Sequence, residues 1–198
     1  MRALALPLAF VAFHGNVQPL PEPLRTQVRT QLWHPGCPLP VSRLRLLTVD
    51  HWGFDGRRHS GKLVVKSTYA RPLLEVFGRL YALRFRIRRM GPLSTAADNT
   101  SVFECRRASP SPCPGTSGSG NWSEHAYGQA IDINPIENPY TGCGVTRQRR
   151  SIPYLDRSRL RPGMVTSAVV AAFGSIGWGW GGYWSGTKDY MHFSASGH

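Results

Sequence analysis

SEHAYGQAIDINP, running from Ser123 to Pro135, carries two side chains of metal-ligand type, His125 and Asp132, seven positions apart. Gly128 supplies a bend between them. After it, Ala130, Asp132 and Asn134 alternate with Ile131 and Ile133, the period-2 pattern of a strand with one small polar face and one apolar face. Asp132 therefore faces away from the isoleucines. A catalytic zinc takes three protein ligands of nitrogen and oxygen type and keeps a fourth position open, so this pair requires one more. Near the C-terminus, DYMHFS from Asp189 to Ser194 offers His192 between Met191 and Phe193, again a strand pattern with the imidazole on one face. Asp189, three residues earlier, is a carboxylate that could take a proton from water at such a site. Glu124 is a rival base by composition, but as the neighbour of a ligand in an extended segment it is expected on the opposite face. An isolated H-x6-D spacing is weak evidence, because single histidines are more often surface or core residues than ligands.

The ordered set is more specific. S-x-H-x2-G-x-A-x-D-I is followed by W-G-W-G-G-x-W at Trp178 to Trp184 and by D-x2-H-F at Asp189 to Phe193. In this order the motifs resemble the zinc D-alanyl-D-alanine carboxypeptidases and L-alanyl-D-glutamate endopeptidases, of the VanY-like, actinobacterial secreted type, from about Cys37 to the C-terminus. The resemblance implies an α+β fold, a small antiparallel sheet with flanking helices as in hedgehog and D-Ala-D-Ala-peptidase domains. It implies one Zn2+ per chain on His125, Asp132 and His192, with Asp189 as the catalytic base. It also implies that Arg106, in D-N-T-S-V-F-E-C-R-R, binds a substrate carboxylate, which a planar guanidinium holds with two parallel hydrogen bonds. The expected substrates are peptidoglycan stem peptides, cut either at the terminal D-alanine or between L-alanine and D-glutamate. Two positions depart from the family pattern: Glu104 stands where Asn is frequent, and Tyr183 where Asp is usual, beside the metal site.

Length and charge bound the alternatives. The 198 residues suffice for one well-buried catalytic domain, read over 41–198, and 21 Gly with 16 Pro favour a loop-rich α+β chain over a helical bundle. A net charge of +13 suits polyanionic surroundings such as anionic wall polymers, anionic lipid or nucleic acid. No nucleic-acid motif accompanies it, so no specific nucleic-acid partner is expected. Residues 1–15, with Arg2 before the apolar run Ala3 to Phe13, read as a signal peptide or its remnant, too short to span a bilayer. The expected location is the cell wall, outside the cytoplasm, and the expected state a monomer. Four cysteines without C-x2-C spacing suggest two disulfides with three connectivities open. The resembling sequences favour Cys37 with Cys105, which leaves Cys113 with Cys143. From a different functional class, a catalytically inactive, metal-stabilised wall-binding module is the alternative.

Along the chain, Pro-rich residues 16–40 predict an extended lead-in. Leu44 to Trp52 and Lys62 to Lys66 predict a hairpin, with His59 in a structural role. Ala70 to Leu83 and Met164 to Ile176 carry helical spacing, and Phe85 to Met90 alternates as a strand with a solvated arginine face. Ala108 to Asn121 predicts a flexible rim loop tethered by Cys113, and Asn138 to Arg161 an irregular excursion. The Trp178 to Trp184 aromatics suit either a cleft wall or a cap on the core.

Overall fold

The computed structural model describes residues 12–198. The leader read over residues 1–15 lies outside the described residues as far as residue 11, and Gly15 is already the first residue of a strand. The chain is α+β, and among the described residues the strands pair antiparallel in three small sheets rather than one.

The first sheet is β1 (Gly15–Pro19), β2 (Leu44–Trp52) and β3 (Arg58–Lys66), in the order β1-β2-β3. Strand β3 begins four residues before the expected Lys62, because the turn at Gly53 to Arg57 is tight enough for His59 to pair with His51. The alternation of β2 and β3 buries both faces. Leu47, Val49, Leu63 and Val65 join the main core, and Leu44, Leu46 and Val64 join a second, smaller one. Helix α2 (Ser67–Ala82) covers the main-core face with Leu73, Val76, Phe77 and Leu80, one apolar stripe at helical spacing. Helix α3 (Ser167–Gly174), shorter than the periodicity predicts, adds Val169 and Phe173.

The second core corrects the expected lead-in. Residues 16–40 include the end of β1 and a helix, α1 (Glu22–Gln31), which buries Val28 beside Leu20 and Leu39. Leu20, Leu24, Val28 and Leu32 recur every four residues, and the prolines at Pro21 and Pro23 sit at the helix start, where no N–H is needed. With one apolar residue per turn, the stripe is thin. It becomes a helix because β2 and β3 offer an apolar face for it.

The expected strand at Phe85 to Met90 is also absent. Arg86 and Met90 make only isolated bridges, to Trp52 and Thr100, and Arg88 is drawn into ion pairs with Asp98 (2.8 Å) and Glu137 (2.6 Å). Glu137 is fully buried, and burial pushes its carboxyl up against the pull of Arg88. This cluster supports the turn that follows Asp132. Asn134, in the left-handed region at φ 46°, accepts from the Arg88 N–H, while Asp98 accepts from Ile136 N–H.

Candidate metal centre and cleft

Strand β4 (Ala130–Asp132) pairs with β8 (His192–Ser194), and β8 pairs in turn with β6 (Gly179–Trp180). The register sets Asp132 opposite His192 and Ile131 opposite Phe193. Cross-strand partners share a face of the sheet, so Ile131 and Phe193 enter the core, where Phe193 stacks on Phe173 at 4.0 Å, and Asp132 and His192 project to the other side. His125 is not on a strand. It sits in a 3₁₀ turn, Glu124–Tyr127, whose preceding Ser123 accepts from His125 N–H. Gly128 closes that turn at φ 61°, and a Cβ there would stand 2.9 Å from the Lys66 backbone nitrogen.

One donor atom from each of His125, Asp132 and His192 lies within 4.8 Å of the others. His125 Nε2 is 3.2 Å from Asp132 Oδ2, and His192 Nδ1 is 3.1 Å from Asp132 Oδ1. Tetrahedral zinc with bonds of about 2.0–2.2 Å separates its ligand atoms by roughly 3.3 Å, so the spacing fits that ion. The tautomer fits too. His125 Nδ1 donates to the Val102 carbonyl at 2.6 Å, so in the neutral ring the free lone pair is on Nε2, which is buried and without a hydrogen-bond partner. Burial pushes the Asp132 carboxyl up, but the two imidazoles together outweigh it and hold the group well below the usual carboxylate range. The donor set is therefore one an Nε2, Nδ1 and carboxylate-binding cation would satisfy.

A cleft of about 380 Å³ opens over the three residues and is also lined by Arg106, Tyr140, Trp184 and Asp189. Asp189 ends β7 (Lys188–Asp189), where it pairs with Tyr140 of β5 (Tyr140–Thr141). A Cβ at Gly181 would lie 2.5 Å from the Asp189 carbonyl oxygen, so only glycine lets the Trp178–Trp184 segment pack this closely. Asp189 Oδ1 is buried without a partner. Burial, reinforced by the Asp132 charge, pushes its carboxyl up to about 7, a value suited to proton exchange near neutrality.

Arg106 lies in the same cleft and its charge is felt at Asp189. Its guanidinium is held by Glu104 at 2.9 Å, with the Arg107 carbonyl and Ser109 Oγ each at 3.3 Å. Glu104 thus takes the Nε edge of the guanidinium. Arg107, its neighbour, instead stacks on Trp122 at 3.8 Å. Glu124 corrects an expectation: the 3₁₀ turn brings it to the cleft instead of the opposite face, and its carboxylate accepts from Gln129 Nε2 at 2.9 Å. Tyr183 is 71% exposed and packs on Trp180, away from the triad, while His192 Nε2 is buried without a partner among the described residues. Of the tryptophans, Trp178 caps the core and Trp184 walls the cleft, so both roles are filled.

Tyr140 is the cleft residue that sequence patterns miss. It lies in an excursion without periodicity, and its one local signal was the N-P-Y turn before it. Pairing with β7 brings it to Asp189, and burial with the Asp189 charge raises its hydroxyl above its ordinary value. Cys113–Cys143 ties the segment after β5 to the rim loop, and Cys37–Cys105 joins the second core to the segment preceding Arg106; the latter is the pairing the resemblance favours and the former the one it leaves.

A family model described as D-alanyl-D-alanine carboxypeptidase matches residues 117–195, a span that includes His125, Asp132, Asp189 and His192 and excludes Arg106. No curated protein and no solved structure matches the chain. The motifs, their order and this match agree: over residues 117–195 the chain is similar to the D-alanyl-D-alanine carboxypeptidase family.

Proposed function

We infer that the protein is a zinc peptidase that hydrolyses peptide bonds in the stem peptides of bacterial peptidoglycan, as a D-Ala-D-Ala carboxypeptidase or an L-Ala-D-Glu endopeptidase. The observation that carries this reading is the convergence of His125 Nε2, Asp132 and His192 Nδ1 in one cleft with Asp189, whose Oδ1 is buried without a partner. His125, Asp132 and His192 would hold one zinc. When bound, zinc supplies a Lewis acid for the scissile carbonyl and brings the pKa of water toward neutrality.

The chain's own residues supply the rest. Asp189 accepts the proton of the attacking water and passes it to the leaving amine, so the same carboxyl acts first as base and then as acid. Arg106 anchors a carboxylate of the stem peptide and sets the scissile bond over Asp132. Val102 holds the His125 ring through its carbonyl, and Trp184 screens one side of the cleft from water. Two disulfides and the cationic surface suit an extracytoplasmic protein working in an anionic wall.

The test is digestion of purified peptidoglycan and of a synthetic pentapeptide ending in D-Ala-D-Ala, with zinc and after chelation, with products identified by mass. Chelation is expected to abolish turnover and added zinc to restore it. Released D-alanine marks a carboxypeptidase and a new D-glutamate amine an endopeptidase. Stoichiometric zinc with neither product would make the domain a metal-stabilised wall-binding module.

Glu104 makes a separate prediction. Its pair with Arg106 is exposed enough to be worth no more than about 1 kcal/mol, so a substrate carboxylate can displace it. Glu104→Gln frees the guanidinium, and KM is expected to fall a few-fold with little change in kcat. A rise in KM would mean that Glu104 positions Arg106 and does not compete for it.

A further inference from the structure

Away from the catalytic cleft, a second cavity of about 310 Å³ is lined by Arg84, Arg86 and Arg161 together with Phe85, Pro162 and Met164, and no acidic side chain lines it. All three arginines are exposed, and among the described residues none is paired with a carboxylate. The contrast with Arg88 is informative. In the same R-F-R-I-R run, Arg88 is neutralised by Asp98 and Glu137, whereas Arg84 and Arg86 are left facing one concavity that a distant arginine joins. Concentrating three cations around a concave surface, with only Asp156 nearby to feel the charge of Arg161, costs stability by mutual repulsion, and a bound anion removes that cost.

The arginines are also held in place. Arg84 stacks over Trp52 at 4.7 Å, Arg161 lies over Tyr154 at 5.7 Å, and Arg86 donates to the Phe54 carbonyl at 3.4 Å. A guanidinium stacked on a ring keeps its N–H edge available, and that edge matches phosphate oxygens. We propose that this cleft binds a base-free phosphodiester polymer, with Arg84, Arg86 and Arg161 as its phosphate contacts. The rings argue against nucleic acid. Single strands are held by stacking bases on free aromatic faces, and here Trp52, Phe54 and Tyr154 are each covered by an arginine. A wall peptidase with this second site would be retained on anionic glycopolymer while its catalytic cleft cuts peptide. The choice of a wall polymer rests on the proposed function; the binding itself does not.

The test is titration of the full chain with poly(glycerol phosphate) and with single-stranded DNA of equal charge, across salt concentrations. For Arg84→Ala/Arg86→Ala/Arg161→Ala, affinity for poly(glycerol phosphate) at low salt is expected to fall on the order of tenfold or more. The salt slope is expected to fall by about 2, at roughly 0.7 per phosphate contact on a flexible strand. A control, Arg29→Ala/Arg43→Ala/Arg71→Ala, removes the same charge elsewhere and is expected to change affinity much less. Equal losses in both triples would reduce the effect to net charge and overturn the site. Tighter binding of DNA through the same three arginines would replace the proposed partner. Thermal melts check folding, with Arg86→Ala/Arg161→Ala as the milder variant because it leaves the Arg84–Trp52 stack intact. Cleavage of the soluble pentapeptide by the cleft triple should stay at the wild-type rate, so loss of binding and loss of peptidase activity are read separately.

Discussion

Asp189→Asn is expected to bind zinc stoichiometrically and to lose on the order of 10²–10⁴-fold in kcat, the usual contribution of a positioned proton-transfer group. The amide keeps the size of the carboxyl in a site where Gly181 leaves no room for rearrangement. His125→Ala and His192→Ala, in contrast, are expected to lose zinc and activity together, since each removes one of three donors. Zinc content by elemental analysis, measured beside turnover of the pentapeptide, separates the two classes. Asp189→Asn at near-wild-type activity would remove Asp189 as the base and turn attention to Glu124 in the same cleft. The pH profile adds a second reading. A base must be ionised to act, so kcat/KM should rise with pH through the Asp189 pKa and then level. Without a cation that pKa is pushed up to about 7 by burial and by Asp132. A cation on the triad favours the ionised form, so the limb should lie at or below about pH 7. The residual activity of Asp189→Asn should lack it.

Removing Cys37–Cys105, as Cys37→Ala/Cys105→Ala, carries the largest expected effect on stability. The bond spans a sequence separation of 68, and the loop-entropy relation assigns such a crosslink about 4 kcal/mol. For a chain of this size that is a fall in Tm of roughly 10–15 °C, read by thermal unfolding under oxidising conditions. The crosslink holds α1 and the small second core against β2 and β3, and Cys105 is next to Arg106. KM is therefore expected to rise in the same variant while zinc content stays unchanged. A Tm within a degree or two of wild type would mean that the Val28 and Leu39 packing closes this loop by itself.

Local patterns carry much of this protein. Alternation around Asp132 and His192 marks strands β4 and β8, and the stripe from Leu73 to Leu80 marks α2. These features were legible because each depends on neighbours two to four residues away, within the period of one strand or one helix. The thin stripe of α1 was not, because Leu20, Leu24, Val28 and Leu32 bury only when β2 and β3 are already beside them. The strand expected at Phe85 to Met90 failed for the opposite reason. Its alternation is real, but Glu137, far along the chain, takes Arg88, and only isolated bridges form.

The candidate site divides in the same way. Residue chemistry and motif order were enough to nominate His125, Asp132, His192, Asp189 and Arg106 from the amino-acid sequence alone. The juxtaposition of Asp132 with His192 is a matter of strand register, set by Ile131 and Phe193 entering one core, and a slip of one residue would turn both side chains into that core. Only the tertiary structure decided that Glu104 holds Arg106, that Glu124 turns toward the cleft, and that Tyr140 stands beside Asp189. Those contacts join segments with no shared periodicity, so they are fixed by packing and charge pairing across the fold and leave no trace in the spacing of residues along the chain.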